Sequence, residues 1–398
     1  MFISLCMLSF FLLIYFRNRY DLFKNPEPER EYEISFLVPA YNEQETLADT
    51  IEHIFNVGYK KIKEVIIIND KSSDDTLKIA RVLKKKYPKI IILDNKKNLG
   101  KAGGLNRGLS IASGELIAVV DADSYPEKGS IGKMIGYFND PKVGAVTCPV
   151  VVRNRNKFFE KLQAIEYKAI AVSRKFLDYV DAIYVTPGPL ALYRKTALDD
   201  IDGFDANNLT EDIEATWHLT DAGWERRMSL SAQVSSTVPN KLKSWFVQRR
   251  RWNIGGLQCL YKYRHSLRKK GMLGWFIMPF FIINTFLGLF GLSIFFYLLV
   301  TRIISNFLRT RYSIIAETPI LTLNELYITP SILNYLGIVL FVMGFIFTIL
   351  ILSILNEKIW RRENILNIPF YMTIYLILYP FIMISAIWHT IKGKRTWR

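Results

Sequence analysis

The chain has 398 residues, with 52 Lys and Arg against 36 Asp and Glu, a net charge of +16, and an apolar fraction of one half. Such apolar content excludes a disordered polyelectrolyte, and three cysteines exclude a disulfide-stapled mini-protein. A basic excess of this size implies an anionic partner: nucleic acid, lipid head groups or phosphorylated small molecules.

Residues 1–16 carry no charge, and as a helix they reach about 24 Å, close to one hydrocarbon thickness. They lack a basic leader and a small-residue cleavage site, so they are expected to be a membrane anchor rather than a removed signal. Arg17, Arg19 and Lys24 follow, which places the next part of the chain in the cytoplasm by the positive-inside rule. A Pro/Glu-rich linker occupies 25–31.

From 33 onward, apolar Ile/Val/Leu runs at 34–38, 65–68, 90–93 and 116–120 alternate with segments of helical spacing at 43–55, 74–86 and 102–111. Continuous apolar strands separated by amphipathic helices predict an α/β domain with a mostly parallel sheet covered on both faces. Ligands of such sheets bind beyond the carboxyl ends of the strands. No Walker loop is present and no G-x-G-x-x-G follows a strand, which argues against an ATPase or a nicotinamide enzyme.

Each strand leads into an acidic or turn-forming segment. Asp121 and Asp123 follow the strand 116–120, and their spacing lets both carboxylates face one ligand. Two such carboxylates repel unless a hard cation neutralises them, and Mg²⁺ or Mn²⁺ shared with phosphate oxygens fits that need. Asp70 closes another strand, where it can bind a base or ribose edge or cap the next helix. Lys101, in the glycine-rich loop 100–104, can meet a phosphate with help from helix N–H groups. Thr210-Glu211-Asp212 opens a helix; acids in its first turn suit the helix dipole, and Asp212 is also a candidate general base. Gln248, Arg251 and Trp252 share one helical face, with an indole for stacking on sugar and cations for pyrophosphate, or else a basic face for lipid head groups.

Residues 241–270 contain ten Lys and Arg and no acid, which again favours the cytoplasm. The segments 272–300, 332–356 and 367–391 contain no charged residue, and each exceeds the roughly 20 residues of a membrane-spanning helix. Three spans would place Lys392, Lys394, Arg395 and Arg398 outside. Either one segment is re-entrant or interfacial, or the charge rule is broken here. Cys6, Cys148 and Cys259, like the four histidines, are scattered without metal-ligand spacing and are expected to be reduced and unligated.

The order of the motifs resembles the membrane-embedded family-2 glycosyltransferases of the cellulose, chitin, hyaluronan and poly-N-acetylglucosamine synthase type. The matching residues are Val38-Pro39-Ala40-Tyr41-Asn42-Glu43, Asp70 in Asn-Asp-Lys-Ser-Ser-Asp-Asp-Thr, Lys101 in Gly-Lys-Ala-Gly-Gly-Leu-Asn, Asp121-Ala-Asp123, Thr210-Glu211-Asp212 and Gln248-Arg-Arg-Arg251-Trp252. The resemblance covers roughly 33–256. It implies a GT-A-type nucleotide-sugar domain over 33–232, an amphipathic interfacial segment over 233–271, and membrane helices at 1–16 and 272–391. It further implies an integral, multi-pass protein of the plasma membrane with a cytoplasmic catalytic domain.

By the same resemblance, Tyr41, Glu43 and Asp70 hold the uridine, and Lys101 and Asp121 contact the nucleotide and its phosphates. Asp123, with Asp121, binds Mg²⁺ or Mn²⁺. Asp212 is the base, and Glu211, Gln248, Arg251 and Trp252 line the acceptor and diphosphate site. The implied reaction is inverting transfer from a UDP-sugar to a growing polysaccharide with coupled translocation; the alternative is transfer of one sugar to a lipid acceptor. A degenerate, non-enzymatic membrane scaffold or transporter is disfavoured because Asp70, Asp121, Asp123 and Asp212 are all intact. A lipid bilayer and a homo-oligomer or accessory subunit are the further expected partners, and nucleic acid is not. The loop 185–190, with Pro187 and Pro189, departs from the Cys-Gly-Ser-like loop of cellulose synthases and argues against cellulose as product. The tail 394–398 resembles a shortened gating-loop end.

Overall fold

The computed structural model describes residues 2–268, 271–317, 332–355 and 362–393. The resemblance at 394–398 and part of the 241–270 and 332–356 segments fall outside these residues. Helix α1 (Phe2–Asn18) precedes the linker. Strands β1 (Ile34–Ala40), β2 (Ile62–Asn69), β3 (Ile90–Asp94) and β4 (Leu116–Val119) then form a parallel array in the order β3-β2-β1-β4. They alternate with α2 (Leu47–Phe55), α3 (Thr76–Lys86) and α4 (Gly100–Leu109).

The period of two decides which side each residue serves. Phe36, Val38, Val65 and Ile67 pack with Leu47 and Ile51 of α2 and Ala80 of α3. Leu37, Ile66 and Ile68 face the opposite layer, with Leu105 of α4. Both faces are covered, which is why the strands read as unbroken apolar runs. Helix α2 starts at Leu47, four residues later than its spacing predicts, because the backbone oxygen of Glu43 first closes a turn on the N–H groups of Thr46 and Leu47.

Beyond β4 come β5 (Ser124–Pro126), α5 (Ser130–Ile135), β6 (Val143–Thr147), β7 (Val150–Val152) and the long α6 (Phe158–Asp178). Then follow β8 (Ala191–Arg194), α7 (Lys195–Asp200), α8 (Glu211–Asp221), β9 (Glu225–Met228) and β10 (Val234–Ser236). The main sheet is completed as β4-β8-β6-β9, with β8 antiparallel to both neighbours, so the sheet is mixed. A second sheet, β5-β10-β7, was not evident from the sequence. Helices α7 and α8 cover the same face as α4.

Helix α9 (Leu242–Lys262) carries the Q-x-x-R-W residues and leads through a π-helical turn at Leu273–Ile277 into α10 (Met278–Ile315). Helices α11 (Ile332–Ile354) and α12 (Arg362–Ile391) follow. Among the described residues, two helices are long and apolar enough to cross a membrane, Leu273–Ile315 and Ile365–Ile391; Cys6–Asn18 and Ile338–Ile354 are shorter apolar helices. The three cysteines are free.

The apolar helices seat on α6 and α9. Ile14 of α1 and Ile351 of α11 pack with Phe176, and Tyr375 and Ile382 of α12 pack with Leu162 and Trp245. A charged contact runs through this junction. Arg249 of α9 is fully buried and donates to Glu166 of α6, which also accepts from the Tyr375 hydroxyl at 2.8 Å. This departs from the expectation that the basic residues of α9 lie on lipid head groups. Removing one partner of a buried pair strands the other charge, at about 3–5 kcal/mol, whereas an apolar replacement of both is far milder. Glu166→Leu is therefore expected to lower the thermal unfolding midpoint of the detergent-solubilised protein strongly. Glu166→Leu with Arg249→Met should recover most of the loss.

Candidate active site

The carboxyl ends of β1, β2 and β4 lie side by side, and the segments leaving them build one rim. After β1, Tyr41 is exposed, and the Glu43 carboxylate accepts from Thr46 Oγ1 at 2.8 Å. Burial pushes the Glu43 carboxyl up to about 7; the Thr46 hydrogen bond opposes this, and the charges of Asp123, Asp121 and Asp74 add to it.

After β2, Asp70 is buried, and both its oxygens are engaged by the protein. It accepts from Asn95 Nδ2 and the Leu99 N–H at one oxygen and from the Gly100 N–H at the other, each at 2.8 Å. These N–H groups lead into α4, so Asp70 caps a helix some thirty residues away instead of the one that follows it. It thereby fixes the loop that presents Lys101.

Lys101 reaches Asp121 and Glu211, with its Nζ at 2.6 Å from an oxygen of each. Burial disfavours its charge, but Asp121, Glu211 and Asp212 outweigh that penalty and raise its pKa. Asp123 accepts from Ser124 Oγ at 3.1 Å, and burial together with the Asp121 charge pushes it up to about 6.

Asp212, in the first turn of α8, accepts from the Ile213 N–H at 2.9 Å and the Gly188 N–H at 3.4 Å. Burial, and then the Glu211 charge, raise its carboxyl to about 6, with Lys101 opposing the shift. Gly188 belongs to the proline-flanked loop. That loop is tied to α8 through Thr186, whose N–H and hydroxyl both meet Thr216 Oγ1 at 2.9 and 2.8 Å. Thr216 in turn donates to the Asp212 carbonyl at 2.6 Å.

These pieces enclose a cavity of about 690 Å³. Lys101, Asp121, Asp123, Glu211 and Asp212 line one part of it; Gln248, Arg251 and Trp252 line another. Tyr41, Glu43 and Asp70 are not part of its wall, although Glu43 is within electrostatic range of Asp123. The cavity continues between α10 and α12, along Phe280, Phe281, Met383 and Ile387.

Asp121 and Asp123 fit a divalent cation in chemistry: both are hard oxygen donors, and their mutual repulsion is only partly relieved by Lys101 and Ser124. Among the described residues no cluster of three or more His, Cys, Asp or Glu side chains is placed to hold a metal. The remaining coordination positions would therefore go to water or phosphate oxygens.

Two glycines at close approaches escaped the sequence reading as site residues. A Cβ on Gly188 would stand 2.5 Å from Lys101 Nζ and 3.0 Å from Asp121 Oδ2. A Cβ on Gly255 of α9 would stand 1.8 Å from Thr210 Oγ1. The turn before α8 is also held by α9 through Gln258, which accepts from the Leu209 N–H at 3.0 Å. A glycine reports such an approach only once its neighbour is known.

A half-buried acidic pair after a strand end, a lysine among carboxylates, and a carboxylate at a helix start beside a cavity that an indole lines fit the GT-A fold. Residues 35–202 match the family described as glycosyl transferase family 2. Over those residues the chain is similar to that family, and it resembles the poly-N-acetylglucosamine synthases. It is 35% identical over 266 residues to a poly-beta-1,6-N-acetyl-D-glucosamine synthase of Staphylococcus aureus, covering 66% of this chain and 64% of that protein. The chain thus spans a little under two thirds of the length of that relative. It is 29% identical over 384 residues to the synthase of the same name from Staphylococcus epidermidis, covering 95% of this chain and 88% of that one. The fold is similar to that of a mannosyltransferase of Pyrobaculum calidifontis solved with GDP-mannose and Mn²⁺, with a TM-score of 0.54 and 20% identity over 71% of this chain and 78% of that one.

The two glycines separate two kinetic effects. Gly255→Ala overpacks the Thr210 turn, a perturbation worth about 1–3 kcal/mol, and is expected to lower kcat with little change in the donor KM. Gly188→Ala pushes Lys101 off Asp121 and is expected to raise the donor KM. Steady-state release of nucleoside diphosphate from a sugar donor measures both.

Proposed function

We propose that this protein is a membrane-bound inverting transferase that moves a sugar, most simply N-acetylglucosamine, from its UDP ester to a hydroxyl of a growing polysaccharide. The observation that carries the reading is the single cavity in which Asp121, Asp123 and Lys101 meet Asp212, Gln248 and Trp252. The names of the staphylococcal relatives support the sugar and the polymeric product.

In this mechanism the acceptor hydroxyl oxygen attacks the anomeric carbon from the face opposite the diphosphate. The new glycosidic bond forms as the bond to the diphosphate oxygen breaks, which inverts the configuration. Asp212 takes the hydroxyl proton, and its two N–H donors hold the carboxylate in place. Asp123 and Asp121 would hold Mg²⁺ or Mn²⁺, which would supply neutralising charge for the diphosphate leaving group. Lys101 orients the carboxylates on that side, and Gln248, Arg251 and Trp252 line the acceptor path. Tyr41, Glu43 and Asp70 form the uridine side, with Asp70 acting through the loop it caps. The helices α10, α11 and α12, with α1, embed the protein in the plasma membrane with the catalytic domain on the cytoplasmic face. The product leaves between α10 and α12. Its apolar lining also suits a second reading, transfer of one sugar to a lipid acceptor.

Purified protein given a panel of nucleotide sugars is expected to release UDP from UDP-N-acetylglucosamine and to form a high-mass ladder. A single glycolipid as the only product would sink the polymerase reading in favour of the second, and shortened products are expected from Trp252→Ala. Asp212→Asn should lose about 10²–10⁴-fold in kcat while still binding UDP, and EDTA should abolish turnover that Mg²⁺ or Mn²⁺ restores. Because the Asp212 carboxyl sits near 6, the ionised base is present above that pH and is lost as pH falls through it. The kcat profile should therefore show an acid limb near pH 6 that is absent in the residual activity of Asp212→Asn.

A further inference from the structure

Arg174 belongs to α6, and its side chain lines the cavity together with Tyr167 and Ile170, at the i, i+3, i+7 spacing of one helix face. Three arginines are buried among the described residues: Arg174, Arg226 and Arg249. Arg226 donates to the Trp224 and Asp181 carbonyls, at 2.6 and 2.9 Å, and pairs with Asp181. Arg249 pairs with Glu166. Arg174, only 7% exposed, has no hydrogen bond or ion pair among the described residues.

Burial lowers the pKa of Arg174, and the groups acting on it next most strongly are Tyr184, Asp212, Cys148 and Tyr167. Tyr184 and Tyr167 have phenols that burial keeps neutral, and the buried Cys148 thiol is likewise pushed up and kept protonated. Apart from Asp212, the groups facing this buried cation are neutral, and it forms a hydrogen bond or ion pair with none of them, so an anion entering the cavity offsets part of its desolvation. Its place in the cavity is also informative. Tyr184, within electrostatic range of Arg174, packs edge-on against Phe281 of α10 with centroids 5.0 Å apart, so Arg174 adjoins the part of the cavity wall that meets the apolar helices. Lys101, the lysine at the other end, is already occupied by Asp121 and Glu211.

We propose that Arg174 forms a second anion subsite in this cavity, on the acceptor side of Asp212, which takes an oxyanion, either a carboxylate or a phosphate. The proposal rests on the glycosyl-transfer reading and adds to it that an acidic acceptor, polymer or lipid, is bound more tightly than its neutral counterpart. The departing diphosphate could present the same chemistry, and the experiment separates the two sources.

Full-length protein in detergent is titrated with matched probes: a hyaluronan hexasaccharide against chitohexaose, farnesyl phosphate against farnesol, and UDP. Wild-type protein is expected to bind the acidic member of at least one pair about tenfold or more tighter than the neutral one. Arg174→Gln should erase that preference with UDP affinity unchanged, and Arg174→Lys should keep part of it. A tenfold loss of UDP affinity in Arg174→Gln, with neutral and acidic probes bound alike by wild type, would keep the subsite and assign it to the diphosphate. No preference in wild type and unchanged UDP binding in the variant would overturn the proposal. So would a variant whose only change is a shifted acid limb of kcat, since Arg174 would then act on Asp212 alone. UDP release by wild type is measured in parallel: if it is absent while the acid preference persists, the transferase reading fails and the subsite stands.

Discussion

The site is organised by a surplus of negative charge. Asp121, Asp123, Glu211 and Asp212 share one cavity wall with a single lysine, and Glu43 adds to the same field. In a partly dry cavity these groups cannot all stay ionised without help. Asp123, Asp212 and Glu43 are all shifted upward by burial first and then by neighbouring carboxylates: Asp121 acts on Asp123, Glu211 on Asp212, and Asp123 with Asp121 on Glu43. Each is relieved from a different element. Lys101 comes from α4, Ser124 from the start of β5, and Gly188 from the proline-flanked loop, while the Ile213 N–H belongs to α8 itself. The strand order of the sheet is what brings these elements to one rim, so the electrostatics of the site are a property of the topology.

Helix α9 is the second organising element because it touches every part of the problem. Its Gln248 and Trp252 face the cavity, and its Gly255 and Gln258 press on the turn before α8. Near its end Lys262 pairs with the fully buried Glu214 of α8 at 2.6 Å and with Asp205 at 2.8 Å. Arg249 stacks over the Trp252 ring at 4.0 Å while it is paired with Glu166, so the indole is positioned from behind by a residue that never enters the cavity. A displacement of α9 moves Gln248 and Trp252 together with the turn that carries Asp212.

Much of this was legible in the sequence where the signal is local. The four Ile/Val runs are strands because both sheet faces are covered, and the turn-forming or acidic segments after them do form the rim. What was illegible depends on partners far along the chain. Asp70 could be read as a cap, but that it caps α4 and not the adjacent helix follows from loop geometry. The antiparallel direction of β8 leaves no mark in a four-residue apolar strand. Arg249 sits in a basic run that reads as a lipid-facing surface, and only the acid on α6, 83 residues earlier, makes it a core residue. Gly188 and Gly255 carry no side-chain chemistry to notice.

The Arg249–Glu166–Tyr375 contact has a geometric consequence for the apolar helices. Packing between aliphatic surfaces is tolerant: a helix can turn about its axis or slide by one turn, about 5.4 Å, and bury similar area in the new register. A guanidinium, a carboxylate and a phenol that must meet inside the same junction do not share that tolerance. The triad acts as a key in a slot, fixing both the rotation and the height of α12 against α6 and α9. The polar part of the cavity and its apolar continuation between α10 and α12 are thereby held in line by one polar contact.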